Sequence, residues 1–143
     1  MVGGVDRLQG YTDALLAHGL PVDPSLIVHG DWGRASGAAG MRRLLEQAPD
    51  LDGVFAASDA MAAEVLPVLR DAGRQVPGDV RVVGFDDSGL AATLDPPLST
   101  VRHPLDRISE EMVRLLTDVI AGRTPLSITV PTSLVLRETS PAV

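Results

Sequence analysis

The chain has 143 residues, 45% of them apolar and 22% charged, with a formal net charge of −7 and no cysteine. That length suits one domain, the missing cysteines exclude disulfides and thiolate metal sites, and an acidic chain whose longest basic run is Arg42-Arg43 does not suit phosphate-backbone binding by this segment. No apolar stretch approaches a membrane span, and Met1 to Gly4 lacks the charged and apolar regions of a signal peptide, so a cytoplasmic location is expected.

Helical spacing begins near the start. Val5, Leu8, Thr12, Leu15 and Leu16 share one face, and Gly19-Leu20-Pro21 predicts the stop. Leu26-Ile27-Val28 predicts a short strand that ends at Gly30. Ala38, Met41, Leu44, Leu45 and Ala48 then mark a second helix, closed by Pro49-Asp50. Val54 to Ala57 predicts the next strand. Asp59 follows where an N-cap belongs, because a carboxylate there accepts from the free amides of the first turn.

The third helix carries Met61, Val65, Val68, Leu69 and Ala72, with Pro67 inside it and Gly73 at its end. A mid-helix proline removes a backbone bond and crowds the preceding turn, which predicts a bend. Val80 to Phe85 is apolar on nearly every residue, as in a parallel strand covered on both faces. Leu98 to Arg102 is a short extended piece. Pro104 suits the first turn of a fourth helix, whose stripe runs Leu105, Ile108, Met112, Leu115, Leu116, Val119 and Ile120 to a stop at Gly122. Ile128 to Val130 and Ser133 to Arg137 predict two last extended segments hinged at Pro131.

Strands alternating with helices at this spacing predict an α/β fold, a parallel sheet sandwiched in three layers. Ligands of such sheets bind beyond the carboxyl ends of the strands. Three strands here run into polar groups: Asp31-Trp32 after the first, Ser58-Asp59 after the second, Asp86-Asp87 after the third. Arg7, near the start of the first helix, is placed to reach the same edge. The set suits a polyol. A carboxylate accepts from neighbouring hydroxyls, arginine donates in a planar fork, and a tryptophan face packs on the C–H surface of a sugar ring.

Each residue also has a plain structural reading. Asp59 reads as a helix cap, Asp87 as a turn cap or a ligand group, and Trp32 as a sheet-edge cover or a stacking face. Asp86, leaving a buried strand, is the better ligand candidate. His18 and His29 read as surface residues, and His103 lies near the expected cleft. The histidines lack metal-ligand spacing, and neither a nucleophile elbow nor a phosphate loop is present. No enzyme activity, cofactor or metal is expected.

The motifs RLQGYTDAL (7–15), GDWGRASG (30–37), FAASDAMA (55–62), VPGDVRVVGFDD (76–87), DPPLSTVRHP (95–104) and VPTSLVLRETS (130–140) occur in one order. Together they closely resemble the effector-binding core of the lactose-repressor (LacI/GalR) family of bacterial transcription regulators. The resemblance implies the C-terminal lobe of a type I periplasmic-binding-protein-like fold, formed by 1–100 and 123–143. It assigns the helix at 104–122 to an N-terminal lobe that this chain lacks, together with the helix-turn-helix DNA-binding domain. By position, it gives Arg7, Trp32, Ser58 and Asp86 to the effector, expected to be a sugar-like small molecule. Ser58 stands where the family usually has asparagine.

The resemblance further implies a homodimer through Met61, Val65, Leu69, Leu94 and Leu98, and operator DNA as a partner of the missing domain only. The stripe on 105–120 should not stay wet, since burying large side chains stabilises by roughly 1.5–3 kcal/mol each. It is expected to pack on a neighbouring copy, to exchange between copies, or to be disordered. The competing readings are a sugar-binding protein of an ABC transporter, which shares the fold, and an enzyme on a flavodoxin-like fold.

Overall fold

The computed structural model describes residues 2–142. Helices α1 (Val2–Ala17), α2 (Arg34–Gln47), α3 (Asp59–Asp71) and α4 (Leu105–Ile120) are interleaved with strands β1 (Gly53–Phe55), β2 (Arg81–Asp86), β3 (Ser99–Arg102) and β4 (Ser133–Val135). The sheet order is β1-β2-β3-β4. β1, β2 and β3 are parallel, with Phe55 opposite Val83 and Gly84 opposite Thr100. β4 runs antiparallel on β3, with Leu134 opposite Val101. The α/β class with a mostly parallel sheet is as the alternating pattern predicts.

The helix stops follow the local chemistry. Gly19 and Gly73 both have φ near +70°, a conformation that costs a residue with a Cβ. Around them the chain makes paired reverse bonds, Leu20 N–H to Leu15 O and Arg74 N–H to Leu69 O, which satisfy carbonyls the helix leaves free. α3 runs through Pro67 without a break.

Two expected strands are absent. Leu26-Ile27-Val28 does not pair. Pro24–Leu26 is a 3-10 turn instead, because the Asp23 carboxylate accepts from both Ser25 N–H and Ser25 Oγ, and Pro24 presets the first turn. That local bonding overrides the β-branched residues that follow. Ile128 to Val130 is irregular as well, and β4 covers only Ser133–Val135.

The core lies between α3 and the sheet. Val65, Leu66 and Leu69 of α3 meet Val80, Val82 and Leu98, with Met41 of α2 closing the cluster. α2 reaches α3 closely at Gly37, where a Cβ would stand 2.4 Å from the Met61 carbonyl oxygen. Any side chain there forces the two helices apart.

This packing corrects the expected dimer surface. Val65, Leu69 and Leu98 are buried within the chain itself, and Met61 and Leu94 pack against the same cluster. Val65, Leu69 and Leu98, enclosed by their own core, are not free to contact a second copy, whereas Met61 and Leu94 are only partly buried. By contrast, α4 has no buried residue, and Met112, Leu116 and Ile120 of its stripe are 60–77% exposed.

The tail after β4 ties the sheet together. Thr139 Oγ1 donates to Val82 O and accepts from Ser99 N–H, while Thr139 O accepts from Val82 N–H. Arg137 donates to Leu98 O and to Asp87.

Candidate functional site

The carboxyl ends of β1 and β2 gather the expected residues. The Arg7 guanidinium lies 3.6 Å from the Phe85 ring centre and 4.7 Å from that of Trp32, so two aromatic faces hold it by cation–π attraction. It also donates to the Ala57 carbonyl and sits 3.7 Å from an Asp86 carboxylate oxygen. The His103 ring stands edge-on to Phe85 at 5.1 Å, and its backbone N–H donates to Asp86 O.

Local sequence builds this rim. Asp31 Oδ1 accepts from Gly33 N–H, which closes an Asx turn. Ser36 Oγ accepts from Asp31 N–H and donates to Gly33 O. The turn drives Trp32 to φ 71°. Among the described residues, the other non-glycine residues with positive φ are Asp86 at 121° and Asp87 at 54°. Such conformations cost roughly 1–3 kcal/mol each and persist where the surroundings impose them, typically at ligand sites. All three here lie at one sheet edge.

Ser58 departs from expectation. It is buried, its hydroxyl donates to Trp32 O, and it accepts from Met61 N–H as the true N-cap of α3. Its only proton is therefore spent on holding Trp32 in place, and none is left for a ligand. Asp59, the expected cap, is one residue too late. It is enclosed instead, accepting from Ser88 N–H, Ser88 Oγ and Thr100 Oγ1. Asp87 is neither a free ligand group nor a simple turn cap. It pairs with Arg102 and Arg137, each at 2.6 Å. Burial pushes its carboxyl up, but those two arginines outweigh burial and hold it below the usual range.

With this geometry in view, known proteins supply the context. The profile of the periplasmic binding protein-like domain family matches residues 2–140. The HTH-type transcriptional regulator CelR of Thermobifida fusca is 51% identical over 140 residues, 96% of this chain and 41% of CelR. The chain belongs to the LacI family of transcriptional regulators. The E. coli K12 regulator AscG is 37% identical over 82% of the chain, which covers 35% of AscG. A solved structure described as a transcriptional regulator CelR–cellobiose complex superposes with a TM-score of 0.95 at 50% identity, over 98% of this chain and 43% of its own. A crystal structure of the E. coli repressor AscG follows at 0.86 and 34%, over 96% and 51%. This LacI-family chain thus spans less than half the length of the CelR and AscG sequences. Those relatives are named as transcriptional regulators. No described helix is long and apolar enough to cross a membrane.

In this LacI-family chain the rim is electrostatically poised. Burial pushes the Asp86 carboxyl up. Arg7 pulls it back, Asp59 raises it again, and His103 and the Asp59 N–H lower it, leaving a net rise. Burial also lowers the Arg7 guanidinium, against the pull of Asp86. Phe85 was not singled out by its sequence pattern, because its strand reads as uniformly core. Its one available signal was composition: with only four aromatic residues in the chain, one flanking Asp86 is informative.

Proposed function

We propose that this chain is the effector-sensing part of a LacI-family transcriptional regulator, and that Arg7, Trp32 and Asp86 take a cellobiose-like disaccharide. The superposition of nearly the whole chain on the CelR–cellobiose complex carries this reading. The chemistry of the rim supports it. Asp86 offers acceptors to sugar hydroxyls, Trp32 offers an aromatic face, and Phe85 keeps Arg7 oriented between them. Relatives named as HTH-type regulators favour this reading over a transport-system binding protein.

In the whole protein the effector shifts the population between DNA-binding and released conformations. Operator contact belongs to a helix-turn-helix domain outside this acidic chain, and the place of work is the cytoplasm. The protein works as a homodimer, through a surface of this lobe other than the enclosed Val65, Leu69 and Leu98. The exposed α4 stripe is the face presented to the N-terminal lobe. Calorimetry of the full-length protein with cellobiose, lactose, ribose and a nucleoside tests the effector. Heat of binding for a disaccharide is expected, and silence across the panel would sink the proposal.

The raised Asp86 carboxyl sets a pH dependence. Sugar hydroxyls bond best to the ionised form, so protons and ligand compete. Affinity is expected to be full above the raised value and to weaken as pH falls through it, at a pH above that of an ordinary aspartate. Asp86→Asn should flatten that profile in the same calorimetric series.

A further inference from the structure

The ladders of the sheet all stop at one level. β2 pairs with β3 as far as Asp86 opposite Arg102, and β3 pairs with β4 as far as Arg102 opposite Ser133. Beyond that level the chain passes through His103 and Pro104 into α4, and it comes back through irregular residues 123–132 to β4. α4 buries none of its residues, so its placement rests on these two connections.

One carboxylate grips both of them. Asp87 Oδ2 accepts from Arg102 Nε, and Asp87 Oδ1 accepts from Arg137 Nη2, each at 2.6 Å. Arg102 is the last residue of β3 before α4, and Arg137 lies just past β4. The Arg137 side chain also donates to Leu98 O, ahead of β3, at 2.7 Å. The Asp87 side chain is 8% exposed and that of Arg102 54%. With one arginine on each oxygen, the carboxylate cannot turn without breaking a charge-assisted bond. A pair this enclosed is screened little by salt.

The backbone joins this grip to the rim. Asp86 and Asp87 are consecutive, and both have positive φ, 121° and 54°. The Asp86 carboxylate lies beside Arg7, while Asp86 O accepts from His103 N–H, on the connection into α4. Asp87 turns to the two arginines instead. Such backbone persists only where its surroundings over-determine it, so a shift at Asp86 is passed on to Asp87 rather than absorbed between them.

We propose that Asp87, Arg102 and Arg137 form the joint that sets the angle of α4 to the sheet and couples that angle to occupancy of Asp86. The clamp follows from the geometry alone; its coupling to sugar rests on the effector reading above. Asp87 acts as a positioning residue, through Arg102 and Arg137. Coupling between separate sites needs an element that both sites bias, and this joint is bonded to both.

The test uses the full-length protein with spin labels on Glu110→Cys in α4 and Asp71→Cys at the end of α3, both exposed, and with any other cysteine replaced. Labelled chains are diluted with unlabelled ones, so that electron-spin measurements read the distance within one chain. Arg102→Ala opens one half of the joint and leaves Asp87 paired with Arg137, so no buried charge is orphaned. It is expected to broaden a narrow distance distribution while the thermal midpoint stays near that of the parent. Arg102→Lys, which keeps the charge, should restore part of the narrowing. Equal distributions in the parent and Arg102→Ala would overturn the clamp. A second arm adds cellobiose. The parent distance is expected to shift, and the shift to be lost in Arg102→Ala although calorimetry still finds the sugar bound. A shift of full size in that variant would overturn the coupling. If the parent binds no cellobiose, the effector reading falls and the coupling with it, while the first comparison still decides the clamp.

Discussion

Asp86→Ala in the full-length regulator is expected to weaken binding of the effector sugar on the order of 100-fold. The carboxylate stands at the rim beside Arg7, partly exposed and free to accept hydroxyls. A hydrogen bond to a charged group contributes about 1.5–3 kcal/mol, and each 1.4 kcal/mol is about tenfold in affinity. Losing one or two such bonds gives that range. Trp32→Ala should act in the same direction by removing the stacking face. Calorimetry measures both, with thermal unfolding as the control for folding. If both variants bind the sugar as tightly as the parent, the site lies elsewhere.

The largest loss of stability is expected from Asp59→Ala. This carboxylate is 1% exposed and collects three donors, from Ser88 N–H, Ser88 Oγ and the buried Thr100 Oγ1 at 2.6 Å. It joins the start of α3 to β3 and to the loop after β2. A buried donor left without a partner costs about 1–3 kcal/mol. Thr100 has no access to water, and the Ser88 backbone loses its anchor, so two such donors cost roughly 2–5 kcal/mol together. Urea unfolding should show the midpoint falling with an unchanged slope. A loss of about 1 kcal/mol or less would mean that the three donors find other partners and that Asp59 does not tie α3 to β3. Gly84 belongs to the same arrangement. A Cβ there would stand 2.5 Å from Asp59 Oδ1, so the strand needs glycine where the carboxylate crosses it.

The two aspartates show how far position in a motif carries. Both follow apolar strands, and both read as polar groups at a sheet edge. Asp86 stays at the rim beside Arg7. Asp59 turns inward, because Ser58 takes the cap and leaves Asp59 inside the first turn of α3. A shift of one residue around the start of a helix decides between a solvent-facing and a buried carboxylate.

The sequence by itself indicated the four helices, a parallel sheet and a shared edge for Arg7, Trp32, Ser58 and Asp86, although the strand expected to carry Trp32 there, Leu26 to Val28, does not form. Those features rest on periodicity, on glycine stops and on the rule that parallel strands deliver their carboxyl ends to one side. Only the tertiary structure decided that Ser58 braces Trp32, that Phe85 completes the clasp on Arg7, and that Val65, Leu69 and Leu98 face their own core. It also decided that Leu26 to Val28 pairs with nothing among the described residues. The physical reason is common to all of these. A side chain's partners are set by what stands across the sheet or the neighbouring helix, and a spacing of residues along one chain carries no record of that distance.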